Sequence, residues 1–267
     1  MKKVLIAALV GLLFAGNALA AKVVLEGSTT VLPIAQRAAE DYMDAKSSAD
    51  ITVRGGGSGV GINSLISKTC DIADSSRAMK ETEFQTAAGK GVKPKAFVIA
   101  MDGIVVIVND ANPISKLSKQ QVLDIYTGKI TNWSQVGGKD EKIVVVSRDS
   151  ASGTFEAFGE LALKGAKVVN TALMQASNQG VATTVAKTSG AIGYVGIGYI
   201  SPSVKGIPID GVTASVKTVL NGKYPYSRPL FMYTNGEPQG EVKEFIDFIL
   251  SKDGQKIVAE EGFVALK

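Results

Sequence analysis

The sequence predicts an α/β protein whose two lobes are built on mixed, mostly parallel sheets flanked by helices. Three observations lead there. After residue 21 short apolar runs alternate with helical patterns along the whole chain. The apolar run 96–108 is too long for one ordinary strand, and Asp102-Gly103 interrupts it. It reads as one strand leaving a first lobe and another entering a second. Finally, three strand-to-helix turns are rich in Gly, Ser and Thr, at the strand ends where open α/β sheets hold ligands.

In order, strands are expected over 22–25, 50–54, 71–73, 96–108, 142–147, 191–200, 207–209 and 228–233, from runs of apolar and β-branched residues. Helices are expected over 31–45, 61–68, 81–88, 118–127, 155–164, 168–175, 178–188, 240–251 and 253–260. Pro33 sits where a first helical turn accepts proline, and Phe155, Phe158, Leu161 and Ala162 share one face of the 155–164 helix. The expected organisation is a leader over 1–20, one lobe from 21–101 plus about 213–267, and a second lobe from 102–212.

The leader is a secretory signal. Lys2 and Lys3 precede the apolar stretch 4–15, and Ala18-Leu19-Ala20 fits a small-x-small cleavage site. No cysteine lies near the cut, so no lipid anchor is expected, and no later run is long enough to span a bilayer. A soluble, periplasmic product follows. Cleavage removes half of the formal net charge of +4. No basic run or aromatic-interleaved patch points to nucleic acid. Cys70 is the only cysteine and reads as buried and inert. The count of histidines is 0, which removes Ser-His-Asp triads, imidazole bases and the usual zinc ligands together. No metal or cofactor is expected, and the balance moves from enzyme toward binder.

The turn Arg148-Asp149-Ser150-Ala151-Ser152-Gly153-Thr154 runs from an apolar strand into a helix. The first N–H groups of a helix lack internal partners and carry the positive end of its dipole. With a guanidinium beside them they make an anion site. Alone, such a turn is ordinarily a hydroxyl N-cap with a solvated arginine. Here it is repeated: Gly27-Ser28-Thr29-Thr30 and Gly55 to Gly61, with Ser58, occupy equivalent positions. The glycine-rich 55–61 stretch fits neither a P-loop, since Ile62 and Asn63 follow Gly61, nor the dinucleotide fingerprint. Asp71 to Arg77 reads as a surface Asp–Arg pair or as a fourth contact loop. Trp133 reads as packing. Asp149 and Glu156 flank Arg148 and read as its ion-pair partners.

Taken together, Gly27 to Pro33, Gly57-Ser58-Gly59, Asp71 to Arg77, Asp124 to Trp133 and Arg148 to Thr154, in that order, resemble the phosphate-binding proteins of phosphate ABC transporters. The resemblance covers essentially the whole chain after the leader. It implies a type II periplasmic binding protein fold, closing over one dehydrated phosphate, with a membrane permease as partner and a monomer as the working state. Carried over by position, Thr29, Thr30 and the amide of Val31, then Ser58, then Arg148, Ser152, Gly153 and Thr154, would hold the anion. Many relatives place an aspartate at the position of Ser76, to accept the phosphate proton and repel sulfate. Asp74, two residues earlier, is the alternative acceptor. Binding of another tetrahedral oxyanion such as sulfate or molybdate, a secreted phosphatase, and a surface protein without a transport role stay open as other readings.

Overall fold

The computed structural model describes residues 22–266, so the leader read over 1–20 lies outside the described residues. Among the described residues no helix is long and apolar enough to cross a membrane. In chain order the elements are β1 (Lys22–Gly27), α1 (Leu32–Ala45), β2 (Asp50–Gly55), α2 (Ser58–Ile66), β3 (Ile72–Ser75), α3 (Glu81–Gly89), β4 (Pro94–Asn109), α4 (Lys119–Tyr126), β5 (Val144–Arg148), α5 (Gly153–Leu161), β6 (Leu173–Gln175), α6 (Asn178–Lys187), β7 (Ala191–Gly196), β8 (Val204–Gly206), α7 (Val216–Leu220), β9 (Ser227–Asn235), α8 (Gly240–Leu250) and α9 (Lys252–Glu260).

The strands order as β2-β1-β3-β9-β4-β7-β5-β6, with β8 also on β4. β1, β2 and β3 are parallel, as are β5, β6 and β7, while β9 and β4 run antiparallel between the two sets. Each parallel set therefore ends its strands at one rim, where helices begin.

The run 96–108 is one strand, not two. β4 pairs with β9 up to Gly103 and with β7 from Ile104 onward, with an irregularity at Val98/Ala100. Asp102 does not break the strand because its buried carboxylate is satisfied by Arg228 on the neighbouring β9 and by the Ile197 amide. The strand expected to reach residue 200 stops at Gly196 for a related reason. The Gly196 amide donates to Asn178 Oδ1 and the Ile197 amide to Asp102 Oδ1, so side chains replace the ladder, and a 3-10 turn follows at Ile197–Tyr199.

No helix forms over 168–175. Its end is the edge strand β6, parallel to β5, with Leu173 and Met174 exposed. β8 forms at Val204–Gly206, ahead of the expected 207–209. α2 starts three residues before the expected Gly61, because the glycines that weaken its helical pattern are needed for packing. A Cβ on Gly61 would lie 2.2 Å from the Glu26 carbonyl, so this helix rests directly on the β1 backbone.

Two large apolar clusters lie on either part of β4. One gathers Val23, Leu25, Ile34, Leu230, Met232 and Phe245 under α1 and α8. The other gathers Ile104, Val106, Tyr126, Trp133, Phe158 and Tyr194, and takes in Val219, Tyr224 and Tyr226. Trp133 is buried there with its indole N–H on the Gly190 carbonyl at 3.0 Å, a packing residue as its apolar neighbours suggest. Cys70 is buried, and burial pushes its thiol up to about 12.

Candidate anion-binding site

The hydroxyl-rich turns converge. Ser28, Thr29 and Thr30 leave β1, Ser58 opens α2, Ser76 follows β3, and Arg148, Ser152 and Thr154 surround the start of α5, all buried. Thr30 Oγ1 lies 2.9 Å from Thr154 Oγ1, and Arg148 Nη2 donates to Thr29 Oγ1 at 3.1 Å. Ser58 Oγ accepts from the Ser76 amide at 3.0 Å. Gly153 lies against both: a Cβ there would sit 2.2 Å from Ser58 Oγ and 2.8 Å from Ser76 Oγ. The Gly59 amide donates across to the Ala151 carbonyl at 3.0 Å. The turns of the β1–β3 set thus face the β5 turn in direct contact.

Arg148 carries the positive charge of this cluster. Its Nε donates to the Gln175 carbonyl and its Nη2 to the Ala176 carbonyl, each at 3.0 Å. Nη1 has no hydrogen-bond partner among the described residues. Burial holds the guanidinium below its usual pKa, so its charge favours a nearby anion strongly. Asp149 and Glu156 are not its partners. Asp149 accepts from the Ala151 amide, while Glu156 reaches Arg77 at 2.8 Å and Lys80 at 2.6 Å.

Arg77 is buried, not a surface partner of an aspartate. It pairs with Glu83 at 2.7 Å as well as with Glu156. Asp71 accepts from the Val24 amide. Asp74 is left with both carboxylate oxygens unpartnered and buried, and desolvation raises its pKa well above the ordinary carboxylate range. By register it shares the sheet face of Arg228, through Met232 opposite it on β9. Its own carbonyl accepts the Ser28 amide, which ties it to the first turn.

Among the described residues no group of His, Cys, Asp and Glu could hold a metal ion. A surface hollow of about 550 Å³, lined by Phe155, Leu163, Val169 and Met174 among others, includes none of the turn residues named above.

Residues 14–253 match the PBP superfamily domain. The phosphate-binding protein PstS of Bacillus subtilis (strain 168) is 37% identical over 245 residues, covering 90% of this chain and 79% of that protein. A crystal structure from Clostridium perfringens, assigned as a phosphate ABC transporter substrate-binding protein and holding phosphate, superposes with a TM-score of 0.86 at 37% identity, over 92% of this chain and all of that one. An ABC-type phosphate transport receptor from Vibrio cholerae gives a TM-score of 0.75 at 35% identity, over 91% and 99% of the two chains. The chain belongs to the PBP superfamily, in its phosphate-binding protein family.

For this family member the sequence names most of the turn residues but misses the side chains that tie them together. Asn178, the first residue of α6, donates to Thr29 Oγ1 at 3.1 Å and Thr30 Oγ1 at 3.0 Å. Arg228 on β9 donates to the Ser76 carbonyl at 3.0 Å, Thr154 Oγ1 at 3.0 Å and Thr30 Oγ1 at 3.3 Å, and pairs with Asp102 at 2.8 Å. Asn178 had a legible signal: Gln175-Ala176-Ser177-Asn178 is a fourth strand-to-helix turn, hidden by reading 168–175 as a helix. Arg228 had none, standing alone at the start of an apolar strand. Ser152 Oγ caps α5 by accepting the Phe155 amide at 3.2 Å, which leaves its proton free to donate, and the Val31 amide makes a long 3.4 Å bond to Ser28 Oγ.

Proposed function

We propose that this chain is an exported, periplasmic binding protein that captures inorganic phosphate and hands it to the membrane permease of an ABC transporter, without catalysing a reaction. The observation that carries this reading is the Arg148 guanidinium, buried with Nη1 unpartnered among hydroxyls from the β1, α2 and α5 turns. A guanidinium and neutral donors in a water-poor cleft give an anion strong electrostatic attraction at low reorganisation cost. The names of the similar proteins support phosphate as that anion.

In this reading Thr29, Thr30, Val31, Ser58, Ser76, Arg148, Ser152, Gly153 and Thr154 surround the ion, and Asp74 takes the phosphate proton. Asp74 fits the role as a buried carboxylate whose oxygens no described residue satisfies. Two lobes close over the ion about β4 and β9; the lobe expected at 102–212 is better drawn as 104–226, with 22–103 and 227–266 as the other, since Val219, Tyr224 and Tyr226 pack with Ile104 and Tyr126. The switch of β4 partners at Gly103/Ile104 supports that boundary. Calorimetry of the mature monomer with phosphate, sulfate, arsenate and molybdate tests the reading. Tight phosphate binding with weak sulfate binding is expected, and absence of phosphate binding refutes it. Equal affinity for both anions favours the general tetrahedral-oxyanion alternative.

A further inference from the structure

We infer that Arg228 and Asn178 are positioning residues that fix the direction of the threonine protons in this site, so that Thr29 and Thr154 act only as donors. The inference rests on the anion-binding reading above and concerns how selectivity for an acceptor is built.

The argument is a count of lone pairs. A threonine hydroxyl has two acceptor sites and one proton. A guanidinium only donates. The Asn178 amide is oriented by its own bond, since its Oδ1 accepts the Gly196 amide at 3.1 Å and its Nδ2 is therefore the donor. Thr30 Oγ1 receives Asn178 Nδ2 at 3.0 Å and Arg228 Nη2 at 3.3 Å, which fills both acceptor sites. Its proton must then serve the 2.9 Å contact with Thr154 Oγ1. Thr154 Oγ1 already accepts from Arg228 Nη2 at 3.0 Å, so the Thr30 proton fills its second site. The Thr154 proton has no protein acceptor left in this network. Thr29 Oγ1 is filled in the same way, by Arg148 Nη2 and Asn178 Nδ2, each at 3.1 Å.

Two hydroxyls that could have turned either way are thus committed to donate. A rotatable hydroxyl that must reorient on binding loses part of the interaction, and a fixed one does not. Arg228 is held for this task by Asp102, whose Oδ2 accepts from Nε at 2.9 Å and lies in ion-pair contact with Nη2 at 2.8 Å, and by the Ser76 carbonyl, which accepts from Nη1. Its charge is balanced by Asp102, so it contributes direction more than attraction.

The test is a double-mutant cycle on phosphate affinity by calorimetry, with thermal melting recorded for each variant. The perturbation is Arg228→Gln made together with Asp102→Asn, which removes the buried pair without stranding one charge. The second arm is Thr154→Val. Each arm alone should weaken phosphate binding roughly tenfold or more, the scale of a hydrogen bond to a charged ligand. Combined, they should weaken it little more than the larger single effect, because Arg228 acts through the hydroxyl that valine lacks. A product of the two effects, or unchanged affinity in the first arm, overturns the inference. A purely structural role would lower the melting temperature without this coupling. If the neutral pair does not fold, Arg228→Lys is cycled against Thr154→Val with the same criteria, since an ammonium keeps the Asp102 partner but cannot span Thr30, Thr154 and Ser76. Failure of the wild type to bind phosphate would remove the phosphate reading and this inference with it. Additive variants of a wild type that binds remove the inference alone.

Discussion

Gly153→Ala gives a sharp test of lobe closure, because stability and binding should move apart. The added Cβ would lie 2.2 Å from Ser58 Oγ and 2.8 Å from Ser58 Cβ, where ordinary contact begins near 3.4 Å, so the two turns must separate by about 1 Å. Ser58 cannot simply rotate away, since its Cβ also clashes and its Oγ accepts the Ser76 amide. Overpacking of this kind costs about 1–3 kcal/mol. The clash lies between the α5 turn and the facing Ser58 and Ser76 turns, so an open form avoids it. Alanine is also the better helix former at the start of α5, by up to about 1 kcal/mol. Melting of the ligand-free variant should therefore be unchanged or slightly higher. Phosphate affinity should fall roughly 5- to 150-fold, the same 1–3 kcal/mol expressed in Kd. Calorimetry gives the affinity and small-angle scattering gives the closure, with a larger radius of gyration than wild type at equal phosphate occupancy. Unchanged affinity, or a loss of melting temperature as large as the loss in binding, would refute the reasoning.

Arg148→Ala should weaken phosphate binding by about 3 kcal/mol or more, read by calorimetry, and Arg148→Lys should recover only part of it because an ammonium cannot form the planar fork. Asp74→Asn should bind phosphate less well and sulfate better in a competition assay, since an amide no longer demands a proton from the ligand. The same substitution has a pH signature without ligand. Burial holds the Asp74 carboxyl above its ordinary range, so between the unfolded and folded values the native state keeps a proton that the unfolded chain has lost. Stability then falls as pH rises through that window, and the melting advantage of Asp74→Asn should grow as pH rises from the ordinary aspartate range. Glu156→Gln breaks the links to Arg77 and Lys80 beside the facing turns, and should weaken phosphate binding by no more than about 1 kcal/mol, with a shallower dependence on salt.

The fold was legible where a local pattern and its tertiary role agree. Alternation of apolar runs with helical stripes marks β1 through α3 because helices of the same stretch bury those strands: Val23, Leu25 and Ile51 cluster with Ile34 of α1, and Ala73 with Ile62 and Leu65 of α2. The pattern failed where distant partners decide. Residues 168–175 carry enough apolar spacing for a helix, yet the Gln175 carbonyl is held by Arg148 Nε and the Asp149 amide, and pairing with β5 extends the chain. The run 96–108 reads as two strands because it is too long for one ordinary strand and Asp102-Gly103 interrupts it; a buried aspartate inside a strand is costly unless paired. Its partner Arg228 lies 126 residues further on, a distance that no window along the chain bridges.

The same division governs the site. Hydroxyls and glycines at strand-to-helix turns announce themselves, since the need for free amides and close backbone approach fixes both residue type and position. Side chains that orient those hydroxyls obey no such local rule. Asn178 must only reach Thr29 and Thr30 from another helix start, and Arg228 must only stand on the strand that runs between the two sets of turns. Arg228 donates to Ser76 and Thr30 on one side and to Thr154 on the other, so it is well placed only when the turns are together. In the proposed closure about β4 and β9, the hinge strands would thus be part of the recognition chemistry: the groups that give way if the lobes part are the groups that commit the hydroxyl protons when the turns meet.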